Sequence, residues 1–134
     1  MKKVAAIIGG GVIGAGWLAR FLLNGWDVRV FDPDPEAERK VDEVLLNAKR
    51  ALPMLYDFAL PKEGNLYFCS TIKETVEDAV WIQESVPERL DIKQTTLSEI
   101  QIYCKKTAVI GSSTSGFMPS QLQEISSFPD QIMV

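Results

Sequence analysis

The stretch VAAIIGGGVIGAGWLARFLLNGWDVRVFD, residues 4–32, decides the fold predicted for this chain. An apolar run leads into the pattern G-x-G-x-x-G at Gly9, Gly11 and Gly14, and a helix-period segment and a second apolar run follow. This order is typical of a strand, a tight turn, a helix and a second, parallel strand. In such a unit the first glycine permits the turn and the second lets a pyrophosphate approach the backbone. The third lets the helix pack close to the sheet.

The turn is therefore predicted to bind a dinucleotide, because the free amides and the dipole at the start of a helix favour phosphate. Its residues are Gly9, Gly10, Gly11, Val12, Ile13 and Gly14. Asp32 lies 18 residues beyond Gly14, close to the offset of about 20 expected for the acid that binds the adenosine ribose. A carboxylate there accepts from two ribose hydroxyls and repels a 2′-phosphate, so NAD is predicted rather than NADP. The alternative is a glycine-rich turn without a ligand, followed by a helix-capping aspartate.

Length and composition exclude several classes of function. A chain of 134 residues is one domain's worth, and its net charge of −4 argues against binding nucleic acid. No apolar run approaches the length of about 20 residues that crosses a bilayer, so a cytoplasmic location is predicted. With two cysteines far apart and no histidine, the sequence predicts no metal site. The missing histidine also removes the commonest general base.

Apolar periodicity predicts the helices. In the first, Ile13, Trp17, Phe21 and Leu22 recur on one face, which is predicted to be buried. The second is predicted to begin with Asp34 as its N-cap and to carry a continuous apolar stripe. The last is predicted to have Ser120 as N-cap and Gln123 at the third helical position. Residues 53–65 are interpreted either as a packed connection or as a partner surface.

Strands alternate with helices along the chain, which predicts a parallel sheet with helices on both faces. Ligands of such sheets bind beyond the carboxyl ends of the strands. Three loops are expected to converge there: Gly9–Gly14, Glu84–Arg89 and Gly111–Gly116.

Four segments carry a resemblance to a known family: GGGVIGAGW (9–17), VFDPDPEAE (30–38), QESVPERLDIK (83–93) and IGSSTSGF (110–117). In this order they resemble the NAD-binding domain of the 3-hydroxyacyl-CoA dehydrogenase family, and most of all its carnitine dehydrogenase branch. The resemblance spans essentially the whole chain. It implies a Rossmann-type doubly wound parallel sheet with helices on both faces, truncated before its last strands. Residues 1–134 would be an NAD-binding domain without the family's helical domain for substrate binding and dimerisation.

The resemblance also implies roles for single residues. Asp32 would bind the ribose, and Glu88 and Lys93, which match the family's V-x-E-x-x-x-x-K, would line the nicotinamide and ribose end. Ser115 would hydrogen-bond the substrate's 3-hydroxyl or keto oxygen. The alternatives are a first-turn helix acid for Glu88, a solvated lysine for Lys93 and a plain serine-rich turn at Ser115. Ser113 stands where acyl-CoA dehydrogenases usually carry Asn, which favours the carnitine branch.

The implied activity is hydride transfer between NAD and the 3-hydroxyl of a small 3-hydroxy acid, with L-carnitine favoured. In the family a histidine beyond the point where this sequence stops takes the hydroxyl proton, so this chain is expected to bind NAD without turnover. The full-length protein is expected to be a homodimer. The alternatives are a 3-hydroxyacyl-CoA dehydrogenase and, in another class, a non-catalytic dinucleotide-binding module. A downstream histidine motif in the parent reading frame would favour an enzyme.

Overall fold

The computed structural model describes residues 2–134, which form one parallel sheet of six strands flanked by helices. The strands are β1 (Val4–Ile8), β2 (Asp27–Phe31), β3 (Leu66–Phe68), β4 (Trp81–Glu84), β5 (Val109–Ser112) and β6 (Ile132–Met133). The helices are α1 (Val12–Leu23), α2 (Ala37–Ala51), α3 (Ile72–Val76), α4 (Leu90–Tyr103) and α5 (Pro119–Gln123). The strand order β3-β2-β1-β4-β5-β6 reverses between β1 and β4. This confirms the predicted doubly wound sheet.

Two apolar cores lie on opposite faces of the sheet. One contains α1 and α2 packed on Ile7, Val28 and Val30, and the other contains α3, α4 and α5 packed on Ala6, Ile8 and their neighbours. Successive side chains of a strand point to opposite faces, so the continuous apolar run of β1 supplies both cores. Burial of β1 on both faces places its carboxyl end, and the glycine turn that follows, at the middle of the sheet edge.

The predicted buried face of α1 is wrong in part. Ile13 is 61% exposed and Trp17 is 40% exposed, whereas Leu22 is buried and Phe21 packs against the core as predicted. The buried face of the helix consists of Gly14, Ala15, Leu18, Ala19, Leu22 and Leu23. Because α1 is apolar almost all round, its periodicity fits more than one face. Small residues decide between them, since they let the helix lie close to the strands.

Two helix starts also differ from prediction. The stripe of α2 is buried as predicted, but the helix begins at Ala37, and Asp34 instead accepts a hydrogen bond from the Glu36 amide (2.9 Å) in the turn before it. Helix α5 begins at Pro119, so Ser120 is not its N-cap. Proline suits the first helical position because its fixed φ is helical and it has no N–H to satisfy. The Gln121 side chain accepts from the Met118 amide at that end (2.8 Å).

The segment 53–65 is partly packed. It starts with a short 3-10 turn, Leu52–Leu55, and Tyr56 and Leu60 pack against the core under α1 and α2. Met54 and Phe58 point to solvent. Within residues 2–134, no helix combines the length and the apolar character needed to cross a membrane.

The burial of α1 predicts different costs for two neighbouring substitutions. Leu18→Ala leaves a cavity in the core beside β1, and we expect it to lower the free energy of unfolding by about 2–5 kcal/mol. Ile13→Ala removes an exposed side chain and should change it by less than about 0.5 kcal/mol. Urea unfolding of both variants measures the difference. Equal losses would contradict the assignment of the buried face.

Candidate functional site

The glycine turn passes very close to its neighbours. Gly9 has a φ of +100°, and a Cβ built on it would lie 2.6 Å from the carbonyl oxygen of Ser85, in the loop after β4. A Cβ on Gly14 would overlap the carbonyl oxygen of Gly9. Residues other than glycine fit neither position, because one needs left-handed backbone and both lack room. The first and third glycines therefore bring β1, α1 and β4 into contact, as the motif predicts.

The second glycine faces open space. Apart from its two chain neighbours, no residue in the described range 2–134 has an atom within 4 Å of a Cβ built on Gly11. Gly11 is the N-cap of α1 and supplies no side-chain cap. The first amides of a helix have no partners inside the helix, so the amides at the start of α1 are free to bind an anion. A pyrophosphate fits this position, since the glycine backbone can be approached closely and nothing else fills the space.

Asp32 lies beside the turn, at the carboxyl end of β2. One carboxylate oxygen accepts from the Gly10 amide (2.7 Å) and the other accepts from the Asp34 amide (2.8 Å). The two hydrogen bonds hold the carboxylate in place, and each oxygen keeps a further lone pair for a ligand hydroxyl. The side chain is thus fixed at the end of β2 with acceptor capacity left for a ligand.

A cleft of about 530 Å³ opens between the turn and the ends of β2 and β4. Its lining is largely apolar and consists of Ile8, Gly9, Gly11, Phe31, Asp32, Pro33, Ile72, Ser85, Val86, Pro87, Ile92 and Thr96. An apolar cleft with one carboxylate at its rim is suited to an adenosine, whose base is flat and whose ribose carries hydroxyls.

A buried ionic network lies next to the cleft, at the carboxyl ends of β4 and β5. The Glu84 carboxylate accepts from the Ser112 hydroxyl (2.6 Å), the Val86 amide (2.9 Å) and the Lys93 ammonium (2.8 Å). Glu84 and Lys93 are 0% and 2% exposed. We call Glu84, Lys93, Ser112 and the Val86 backbone the Glu84 network. Every charge and donor in it is paired, which a buried ion pair requires.

Glu88 holds the loop after β5. Its carboxylate accepts from the Thr114 hydroxyl (2.7 Å) and from the amides of Ser115 (2.9 Å) and Gly116 (3.1 Å). These donors stabilise the ionised form, the Thr114 hydroxyl most, and lower the pKa of Glu88 to about 2. Lys93 lies 3.4 Å from the same carboxylate. The lysine thus connects the Glu84 network to the loop of Ser115.

The two residues predicted for the nicotinamide end and the serine predicted for the substrate therefore lie together. Glu88, Lys93 and Ser115 form one group, with the Ser115 side chain exposed. Lys93 is not a solvated lysine, since it is buried among acceptors. Nor is Glu88 a first-turn acid, because α4 begins only at Leu90. The Glu88 carboxylate instead accepts from the loop after β5.

Ser113 lies in the same region, half-buried. Its hydroxyl accepts from the Gln83 side-chain amide (2.9 Å) and hydrogen-bonds the Ser85 hydroxyl (2.7 Å). Ser113 thereby joins the loop after β4 to the loop after β5. Because side chains alternate along a strand, it lies on the face of the sheet opposite to Glu84. These two loops, residues 85–89 and 113–116, are called the strand-end loops below.

Glu84, Ser112 and Thr114 lie in the loops that are predicted to converge at the strand ends, but the sequence alone assigns them no individual role. One signal was available: Glu84 ends a short, buried, parallel strand, where a charge is costly unless it is paired. Its partners lie on α4 and β5, however, and only the fold shows which residues they are.

The turn, the acid at the end of β2 and the strand-order reversal beside them define a dinucleotide-binding domain of the Rossmann type. The chain belongs to the family of 3-hydroxyacyl-CoA dehydrogenase NAD-binding domains, which it matches over residues 4–134.

Two bacterial proteins are among its relatives. The chain is 65% identical over 130 residues to an L-carnitine dehydrogenase/betainyl-CoA thioesterase of Ruegeria pomeroyi, covering 97% of this chain and 27% of that protein. It is 56% identical over 131 residues to an L-carnitine dehydrogenase of Mesorhizobium japonicum, covering 97% and 36% of the two chains. The chain thus spans roughly a quarter to two fifths of the length of the curated relatives it matches.

Solved structures share the fold. One is an NAD⁺-dependent dismutase, 5-formyl-3-hydroxy-2-methylpyridine 4-carboxylic acid 5-dehydrogenase, with a TM-score of 0.86 and 31% sequence identity. The match covers 98% of this chain and 43% of that one.

The low pKa of Glu88 predicts a contribution to acid sensitivity. The carboxylate has its ordinary pKa of 4.5 when the chain is unfolded and about 2 when it is folded. Below pH 4.5 the unfolded chain binds a proton that the folded chain does not, so the stabilisation is complete above that pH and is lost as the pH falls toward 2. Glu88→Gln lacks this titration, so we expect its stability to fall less steeply than that of the wild type as the pH decreases from about pH 5 to about pH 3.

Thermal unfolding across this pH range measures the effect. Asp91→Asn is the control, because Asp91 is an exposed acid on α4 that pairs with Arg89 at the surface. A pH dependence of Glu88→Gln as steep as that of the wild type would contradict the role of Glu88 in holding the loop.

Proposed function

We propose that this chain is the cofactor domain of an oxidoreductase that transfers hydride between NAD and the 3-hydroxyl of a small 3-hydroxy acid. The main support is the open backbone at Gly11, which lies between the free amides of α1 and the Asp32 carboxylate. When bound, NAD supplies the ring carbon that accepts or donates the hydride.

Each half of NAD has its own set of residues in this proposal. The backbone of Gly9, Gly10, Gly11, Val12, Ile13 and Gly14 holds the pyrophosphate, and Asp32 accepts from the adenosine ribose. Glu88 and Lys93 shape the nicotinamide end. The positions of these residues support this division. Residues of the turn line the cleft, whereas Glu88 lies in a strand-end loop and Lys93 of α4 lies 3.4 Å from its carboxylate.

Ser115 is the residue we assign to the substrate. Its amide is held by Glu88 (2.9 Å) and its side chain is exposed. A hydroxyl on a fixed backbone can hydrogen-bond the substrate's 3-hydroxyl or keto oxygen and orient it. The chain contains no histidine, so we propose that the base that takes the hydroxyl proton comes from polypeptide beyond these 134 residues and that this chain alone does not turn over.

L-carnitine is the substrate we favour, because the relatives cited above carry that activity in their names and are 65% and 56% identical to this chain. A 3-hydroxyacyl-CoA substrate is the alternative, and the family's own name favours it. Measuring NAD reduction by a longer protein that contains this domain, supplied with L-carnitine or with a 3-hydroxyacyl-CoA, distinguishes the two substrates.

We further propose that such a protein is a cytoplasmic homodimer.

Two glycines of α1 provide a matched test of the cofactor site. Neither Gly11 nor Gly16 has an atom within 4 Å of an added Cβ, so Gly11→Val and Gly16→Val should both fold. We expect Gly11→Val to abolish NAD binding, because its side chain fills the space of the pyrophosphate, and Gly16→Val to retain it. Calorimetric titration with NAD measures both. Binding by Gly11→Val with wild-type affinity would reject the turn as the pyrophosphate site.

Asp32 should decide between NAD and NADP. The wild-type chain is expected to bind NAD more tightly than NADP, since the carboxylate repels a 2′-phosphate. Asp32→Ala should weaken NAD binding by about tenfold or more, the usual cost of losing a charged hydrogen bond, and bring the two affinities closer. Titrations of the wild type and of Asp32→Ala with NAD and with NADP measure the ratio of the two affinities. An unchanged ratio would remove Asp32 from its assigned role.

A further inference from the structure

We infer that Glu84 is a positioning residue for the nicotinamide half of the cofactor. It touches neither the cleft nor the exposed side chain of Ser115, and it acts through Lys93 and Ser112 on the two strand-end loops. This role rests on the proposed function, since it presumes that NAD binds at these loops.

The contacts of Glu84 join three separate elements. Val86 lies in the loop after β4, Ser112 ends β5 and Lys93 lies on α4. The carboxylate accepts from all three, so it fixes the distance between the ends of two strands and the helix behind them. Local interactions along the chain cannot fix the distance between these elements, so the contacts of Glu84 do.

Lys93 carries the effect from Glu84 to the loop of Ser115. Its ammonium donates to the Glu84 carboxylate (2.8 Å) and to the Val86 carbonyl (3.1 Å), and it lies 3.4 Å from the Glu88 carboxylate. Two of the three donors of the ammonium are used by Glu84 and the Val86 carbonyl, and Glu88 is close enough for an ion pair. Glu88 in turn holds the amides of Ser115 and Gly116. The placement of Ser115 therefore depends on where Glu84 holds Lys93.

Only a carboxylate suits this position. It offers acceptors alone, whereas a glutamine would direct an NH₂ group at one of the three donors. Glu84→Gln also leaves Lys93 with only the more exposed Glu88 as its anionic neighbour. We expect the strand-end loops to move relative to each other in this variant while the sheet persists.

The polar groups of the adenosine half are held by contacts outside this network, although Val86 belongs to the network and also lines the cleft. The glycine turn contacts the loop after β4 through the Ser85 backbone, and the Ser85 amide donates to the Ile8 carbonyl (2.8 Å). Asp32 is held by the Gly10 and Asp34 amides. The loss of the Glu84 carboxylate should therefore weaken the binding of NAD much more than that of ADP, which lacks the nicotinamide riboside.

The experiment compares NAD and ADP binding to the 134-residue chain by calorimetry. For Glu84→Gln we expect NAD affinity to fall by about tenfold, which is the loss expected when one set of polar contacts is misplaced. ADP affinity should change by less than about twofold. Gln101→Met is the control, because Gln101 is, like Glu84, a buried polar residue, but it lies on α4 and hydrogen-bonds Phe128 and Ser126, outside the strand-end loops. It should lower stability and leave both affinities intact.

Two further variants keep the test decisive if Glu84→Gln unfolds. Ser112→Ala removes one contact of Glu84 and should reproduce part of the selective loss of NAD affinity. Glu84→Asp keeps a buried carboxylate as the partner of Lys93, which favours folding, but its shorter side chain cannot reach all three donors, so NAD binding should stay weak even where stability recovers. NAD binding that recovers together with stability, or equal losses for NAD and ADP, would overturn the role of Glu84. Failure of the wild type to bind either ligand would instead overturn the proposed function.

Discussion

The close approach of the glycine turn to the loop after β4 is the constraint on which the rest of the structure depends. Gly9 and Ser85 are so near that a side chain on Gly9 has no room, and Gly14 lets α1 begin directly over the turn. Because β1 is buried on both faces and pairs with β2 and β4, this contact lies at the reversal of strand order. The cleft opens there for that reason.

The two ends of the site are built by different physical means. Around the turn the groups available to a ligand are mainly backbone amides, and Asp32 is fixed by two more amides. At the strand-end loops the arrangement depends on side chains, through Glu84, Lys93 and Glu88. Backbone geometry is set by the sheet and the helix start, whereas a side-chain network can be altered one residue at a time. The nicotinamide end is thus the part of the site that substitutions can tune most finely.

The ion pair of Glu84 and Lys93 is a poor means of stabilising a domain, because desolvating two charges offsets most of their attraction. Its value lies in geometry. The carboxylate accepts from three donors and the ammonium donates to two acceptors beside a second carboxylate, and these directional contacts are made while the ends of β4 and β5 and helix α4 are held together. An apolar cluster of similar size would tolerate several arrangements, since apolar contacts are not directional.

Patterns in the sequence were sufficient to predict the parallel sheet, the order of its elements, the glycine turn and the position of Asp32. Each depends on patterns within about 30 residues, where turn chemistry and periodicity act locally. Tertiary structure alone decided which face of α1 is buried, because close packing selects Ala15 and Ala19 over the larger Ile13 and Trp17. It also decided that Lys93 is buried and paired with Glu84. Partners such as Ser112 are adjacent to Glu84 only after the parallel strands align, and hydrogen bonds between distant residues leave no periodic pattern in a sequence.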